Sequence, residues 1–210
     1  MSAASSVPMR SNRARSARRR AVLTSAGAAT AALLMAACSS GGTSGGGGNT
    51  NFVMGKDGVS TAKRGERAAA PDLSGETVDG GQADVASYKG KVVVLNVWGS
   101  WCPPCRAEAA GFAKVSEELK DKGVQFVGIN TRDTSIQNAV AFEKQYGITY
   151  PNLYDPTGKL MLRFKKGTLN PQAVPSTLVL DREGRIAARS LAALSDDVLR
   201  SMIAPVLAEK

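Results

Sequence analysis

The run Lys91-Val92-Val93-Val94-Leu95-Asn96-Val97 passes through only Trp98-Gly99-Ser100-Trp101 before reaching Cys102-Pro103-Pro104-Cys105 and a helix-forming stretch. No other feature restricts the fold as much. A short, continuous, β-branched run reads as a strand buried on both faces, which a parallel or mixed sheet provides. Residues 105–119 hold good helix formers, with Phe112, Val115 and Leu119 at helical spacing and Gly123 as the C-terminal cap. A second strand is expected from Val124 to Asn130. The result is a βαβ unit of an α/β fold, with both cysteines at the turn from strand to helix, where backbone N–H groups lack intrahelical partners.

That position suits sulfur chemistry. A helix N-terminus favours negative charge, so a thiolate at Cys102 is stabilised and its pKa falls from about 8.5 toward about 7 or lower. Pro103 and Pro104 are tolerated in a first helical turn and fix the geometry between the sulfurs. Cys102 is expected to be exposed, and Cys105, one turn inside the helix, to be covered. A purely stabilising disulfide is the competing reading, but a loop this small contributes only about 2 kcal/mol. Strand-to-helix placement is what thiol-disulfide exchange needs. Zinc is a poor fit, because one CxxC pair in a chain without histidine supplies too few ligands, and no metal is expected. The missing histidine also disfavours Ser-His-Asp and Cys-His hydrolases.

The formal charge of +9 is concentrated at the start of the chain. Residues 1–37 hold six arginines and no acid, which leaves 21 basic against 18 acidic residues beyond, a net of +3, so no nucleic-acid partner is implied. Arginine-rich sequence, then an uncharged stretch from Ala21 to Ala37, then Cys38, follows the order of a secretory signal. Thr24, Ser25, Gly27 and Thr30 dilute a run already short of the roughly 20 apolar residues that a membrane span needs. Leu34-Met35-Ala36-Ala37-Cys38 resembles a bacterial lipobox, which implies lipidation at Cys38, and Arg19-Arg20-Ala21-Val22-Leu23 resembles a twin-arginine export motif. From Ser39 to Thr50 the chain is almost wholly Gly, Ser, Thr and Asn, a flexible tether. Residues 51–67 read as a poorly ordered lead-in. The expected organisation is a signal over 1–37, a lipidated cysteine and tether over 38–67, and one domain over 68–210.

Asn96-Val97-Trp98-Gly99-Ser100-Trp101-Cys102-Pro103-Pro104-Cys105-Arg106-Ala107-Glu108 resembles the active site of the TlpA/ResA-type thioredoxin-like proteins. The resemblance extends over most of residues 70–210. Tyr150-Pro151-Asn152-Leu153-Tyr154-Asp155 resembles the end of the extra βα element of that family, with Ser135 to Tyr146 as its helix. Val174-Pro175-Ser176-Thr177 resembles its cis-proline loop, and Asp181 to Arg185 reads unaided as a hairpin turn into Ile186 to Ser190. The implied fold is thioredoxin-like, a central mixed β-sheet flanked by helices with an extra βα insertion. The resemblance implies that Pro175 packs beside the cysteines and that the backbone of Val174 pairs with an extended client. Thioredoxin has a buried aspartate where this chain has Asn96; Glu108, one turn after Cys105, is the candidate substitute, at the place where the resemblance implies a glutamate that tunes the cysteines. Ala110 stands where the family often has a proline. Trp98 and Trp101 are read as packing and client-shielding residues.

The expected activity is extracytoplasmic thiol-disulfide exchange with exported protein thiols or disulfides, carried by Cys102 and Cys105 with Glu108, and with Trp101, Pro103, Pro104, Val174 and Pro175 at the client. No cofactor beyond the redox-active disulfide is required. The resemblance adds apocytochrome c as a client before haem attachment and a membrane thiol carrier as electron donor. Two rivals are weaker. A peroxiredoxin-like peroxidase wants Thr or Ser where Gly99 stands and no cysteine three residues downstream. A non-catalytic binding lipoprotein or metallochaperone for copper wants histidine and wider cysteine spacing.

Overall fold

The run after Lys91 forms a strand buried along its whole length, Val92–Trp98. The computed structural model describes residues 50–209, so the signal segment, Cys38 and the tether up to residue 49 lie outside the described residues. In chain order the elements are β1 (Val53–Met54), β2 (Val59–Thr61), β3 (Ser74–Glu76), β4 (Gln82–Asp84), β5 (Val92–Trp98), α1 (Pro103–Leu119), β6 (Val124–Thr131), α2 (Ile136–Tyr146), β7 (Asn152–Asp155), β8 (Ser176–Leu180), β9 (Ile186–Ser190) and α3 (Asp196–Ala208). Seven strands make one sheet in the order β1-β2-β9-β8-β5-β6-β7. β5, β6 and β7 run parallel, whereas β8 and then β9, β2 and β1 pair antiparallel. The sheet is therefore mixed, and the β6-α2-β7 segment is the added parallel unit at one edge. β3 and β4 form a separate hairpin.

Side chains alternate across the sheet. Val92 and Val94 face the apolar layer that includes Phe112 and Val115 of α1 and Leu199, Met202, Ile203 and Val206 of α3. Val93, Leu95 and Val97 face Leu73, Ala83, Val85, Leu160, Met161 and Phe164, so hairpin and loop residues cover the opposite face. α1 runs without interruption past Ala110, and Gly123 follows its last turn at φ 85°, a left-handed residue where glycine costs least. Ser135 caps α2, its hydroxyl accepting from the Gln137 N–H at 3.3 Å. In the turn before β9, the Asp181 carboxylate accepts from the N–H groups of Glu183 and Arg185 at 3.1 and 2.8 Å.

The expected lead-in from Asn51 to Arg67 is corrected by the structure. It supplies β1 and β2, and β2 pairs with β9 with Ser60 opposite Arg189. Arg67 is buried, donating to Asp181 at 3.0 Å and to both carboxylate oxygens of Glu209 at 2.6 Å. β2 is held by a ladder partner more than a hundred positions away and β1 pairs in turn with β2, a stabilisation that leaves no local periodicity to read in strands of two and three residues.

Candidate active site

β5 ends at Trp98, and the chain turns through Gly99, Ser100 and Trp101 before α1 begins at Pro103. Cys102 is the N-cap residue of α1, and its sulfur accepts from the Cys105 N–H at 3.2 Å. Pro103 and Pro104 fill the first helical positions, exposed on either side of no hydrogen bond that the helix requires of them. Cys102 and Cys105 are joined as a disulfide, with Cα atoms 5.3 Å apart. They pack with Val78, Trp98, Ala109, Ala139 and Phe142.

The expected contrast between an exposed Cys102 and a covered Cys105 is absent, since each is 1% exposed. The cause is the loop before β8. The Val174–Pro175 peptide is cis, Pro175 is buried, and the Val174 carbonyl oxygen stands 3.6 Å from the Cys102 sulfur. β8 continues from that loop against β5, with Thr177 opposite Asn96, so the sheet itself brings Val174 to the cysteines.

Glu108 is 5% exposed and lies on the inward face of α1 one turn beyond Cys105. Its carboxylate accepts from Asn96 Nδ2 at 3.0 Å and from the Leu194 N–H at 2.9 Å. Burial outweighs both hydrogen bonds, and its pKa is raised from 4.5 to about 7. Asn96, in the strand that leads to the cysteines, also reaches Thr177 Oγ1 at 3.4 Å. Leu194, in the segment after β9, has no sequence motif to announce its N–H as a partner of Glu108.

Trp101 is 43% exposed beside Cys102. Its indole N–H donates to the Thr131 carbonyl at 3.1 Å, and the ring lies where a side chain on Gly99 would fall, 2.4 Å from Nε1. The residues after β6 complete this wall. Buried Asp133 accepts from the Ser100 N–H at 2.9 Å, from the Ser100 hydroxyl and from Asn130 Nδ2 at 2.6 Å. The Arg132 guanidinium lies 4.6 Å from the centre of the Trp101 ring. Neither residue stands out by motif; the available signal is that both follow the carboxyl end of a parallel strand beside β5, where loops of such sheets build sites. Among the described residues no cluster of three or more His, Cys, Asp or Glu could hold a metal, and no helix is long and apolar enough to cross a membrane.

Comparison with known proteins gives a consistent picture. Residues 67–189 match the model of the AhpC/TSA family. The chain is similar to the thiol:disulfide interchange protein HelX of Rhodobacter capsulatus, 34% identical over 149 residues that make up 70% of this chain and 79% of that one. It is also similar to the thiol-disulfide oxidoreductase ResA of Bacillus subtilis, 30% identical over 132 residues, 63% of this chain and 68% of that one. In structure it resembles a secreted thiol-disulfide isomerase from Corynebacterium glutamicum, with a TM-score of 0.68 and 31% identity, covering 77% of this chain and 100% of the other.

Proposed function

This chain belongs to the AhpC/TSA family and is a thioredoxin-like thiol-disulfide oxidoreductase of the TlpA/ResA type, and from that premise we propose that it exchanges a dithiol and a disulfide with exported client proteins through Cys102 and Cys105. One observation carries the assignment of residues. The Cys102 sulfur sits at the N-terminus of α1, receiving the Cys105 N–H at 3.2 Å, and lies 3.6 Å from the Val174 carbonyl. Partial positive charge for a thiolate and the half-buried backbone of the cis-proline loop, the proposed client contact, therefore meet at one atom.

In the reducing direction the Cys102 thiolate attacks one sulfur of a client disulfide; a Cys102–client bond forms, the client S–S bond breaks, and one client thiolate leaves. The Cys105 thiolate then attacks Cys102, closing the Cys102–Cys105 disulfide and releasing the second client thiolate. Two electrons pass to the client and no bound cofactor is required. Run backwards from the disulfide form, the same steps oxidise a client dithiol. Glu108 tunes the thiols as a buried carboxylate that gains a proton near neutral pH. Trp101, Pro103, Pro104, Val174 and Pro175 border the client.

The signal-like order of residues 1–37, the resemblance of Leu34 to Cys38 to a lipobox and the similarity to a secreted isomerase support an extracytoplasmic, lipid-anchored setting. Apocytochrome c is the proposed client, with a membrane thiol carrier as donor. Turnover in an insulin-reduction assay is expected for the wild type and background rates for Cys102→Ser; a wild type no faster than background would contradict the exchange reading. Mass spectrometry of the mature N-terminus should show an acylated Cys38, and an intact leader or an unmodified Cys38 would contradict the anchored setting.

A further inference from the structure

Among the described residues, Arg132 is the one arginine whose guanidinium makes neither a hydrogen bond nor an ion pair. Arg67, Arg106, Arg163, Arg182, Arg185 and Arg189 donate to carbonyls or carboxylates, and Arg64 and Arg200 pair with Glu183 and Glu118. Arg132 has the Trp101 ring face instead, and its Nε is buried without an acceptor. Its position is imposed by backbone: φ is 58°, an uncommon conformation for a residue with a side chain, and its N–H meets the Asp155 carbonyl at 3.4 Å. The ring beneath it is pinned in turn by the Thr131 carbonyl.

Arg132 opens onto a cleft of about 640 Å3 that begins at Ser100 and Trp101, directly before Cys102. Its charged lining residues are Arg106, Arg132 and Asp133, and the acid is 2% exposed with both carboxylate oxygens engaged by Ser100 and Asn130. Arg106 is held toward the cleft by two N–H bonds to the Ser100 carbonyl at 2.9 and 2.6 Å. Asn138 and Gln145 add neutral polar groups. The accessible charge is thus positive, and the lining includes Trp101, the residue directly before Cys102. We infer that this cleft is a specificity subsite for a carboxylate, taking an acidic side chain that flanks the reacting cysteine of a peptide client, with Arg132 as its principal donor. Guanidinium matches a carboxylate with two parallel N–H bonds, and the Trp101 face keeps it in place for that geometry.

The inference rests on the exchange reading above, and the test separates the two. Disulfide-linked peptides identical except for Glu or Lys next to the cysteine are exchanged with the reduced full-length protein at low and at raised ionic strength. The wild type is expected to react about fivefold faster with the Glu peptide, as one partly exposed ion pair allows, and the preference should shrink with salt. Arg132→Asn removes the charge with a residue type that tolerates positive φ, and should bring the ratio close to one, while Arg132→Lys should keep part of it. Equal rates for the two peptides in the wild type, or a preference that survives Arg132→Asn, would overturn the subsite and leave exchange standing. No reaction with either peptide would overturn both.

Discussion

At Glu108 the folded chain holds a proton more tightly than the unfolded chain does, because burial lifts the carboxyl from 4.5 to about 7. The folded value being the higher, the stability this group contributes is fully present below about pH 4.5 and is lost as pH rises to about 7, on the order of 3 kcal/mol in all. Glu108→Gln keeps the volume and one acceptor and removes the ionisation. Urea unfolding at the two ends of that window should show a flatter pH dependence in the variant than in the wild type, and thiol exchange should slow as the cysteine titration shifts. An identical pH slope in both proteins would contradict the raised carboxyl pKa, and an unchanged thiol titration and exchange rate would return Glu108 to a residue without influence on the site. The sequence placed Glu108 one turn from Cys105, but its burial under Leu194 comes from a segment 86 residues away and could not be read locally.

Between elements, β6 and β7 leave no room for a side chain at Gly128. A Cβ there would fall 1.6 Å from Asn152 Oδ1 and 2.8 Å from Trp98 Nε1. Asn152 cannot yield: it is 1% exposed, accepts from the Trp98 indole N–H at 2.7 Å and donates to the Tyr150 carbonyl at 2.8 Å. Gly128→Ala is therefore expected to cost roughly 2–3 kcal/mol in urea unfolding through overpacking and the disturbed Trp98–Asn152 bond, and a change near zero would contradict this packing. β5, α1 and β6 were legible because each carries its own signal, a buried β-branched run or a capped helix, whereas α2 was read through the family resemblance alone. β1, β2 and the β3–β4 hairpin were not, since two- and three-residue strands exist only through their partners. α3 has a cap at Ser195 and apolar residues at Leu199, Met202, Ile203 and Val206, yet Pro205 inside it obscures the helical pattern.

Taken whole, the molecule gathers its site at one end of the sheet, where β5 and β6 finish, β8 begins and β9 ends beside Thr177. The cysteine pair could be named from its own spacing and position, and the Val174–Pro175 loop only through the family resemblance. Asp133, Arg132 and Leu194 could not, because only the strand order brings the ends of β6 and β9 to the same place. At the other end, Arg67 ties the lead-in to the Asp181 turn and to Glu209 after α3, so the sheet extension and the end of the terminal helix share one ion network, buried at Arg67 and Asp181 and half-buried at Glu209. The mechanism proposed for this assembly has Cys102 as the attacking sulfur and Cys105 as the resolving one. It is tested most directly by incubating Cys105→Ser and Cys102→Ser variants with a disulfide-bonded client and separating the products by non-reducing electrophoresis. A mixed disulfide should accumulate with Cys105→Ser alone; equal trapping by both variants, or trapping by Cys102→Ser only, would contradict the assignment.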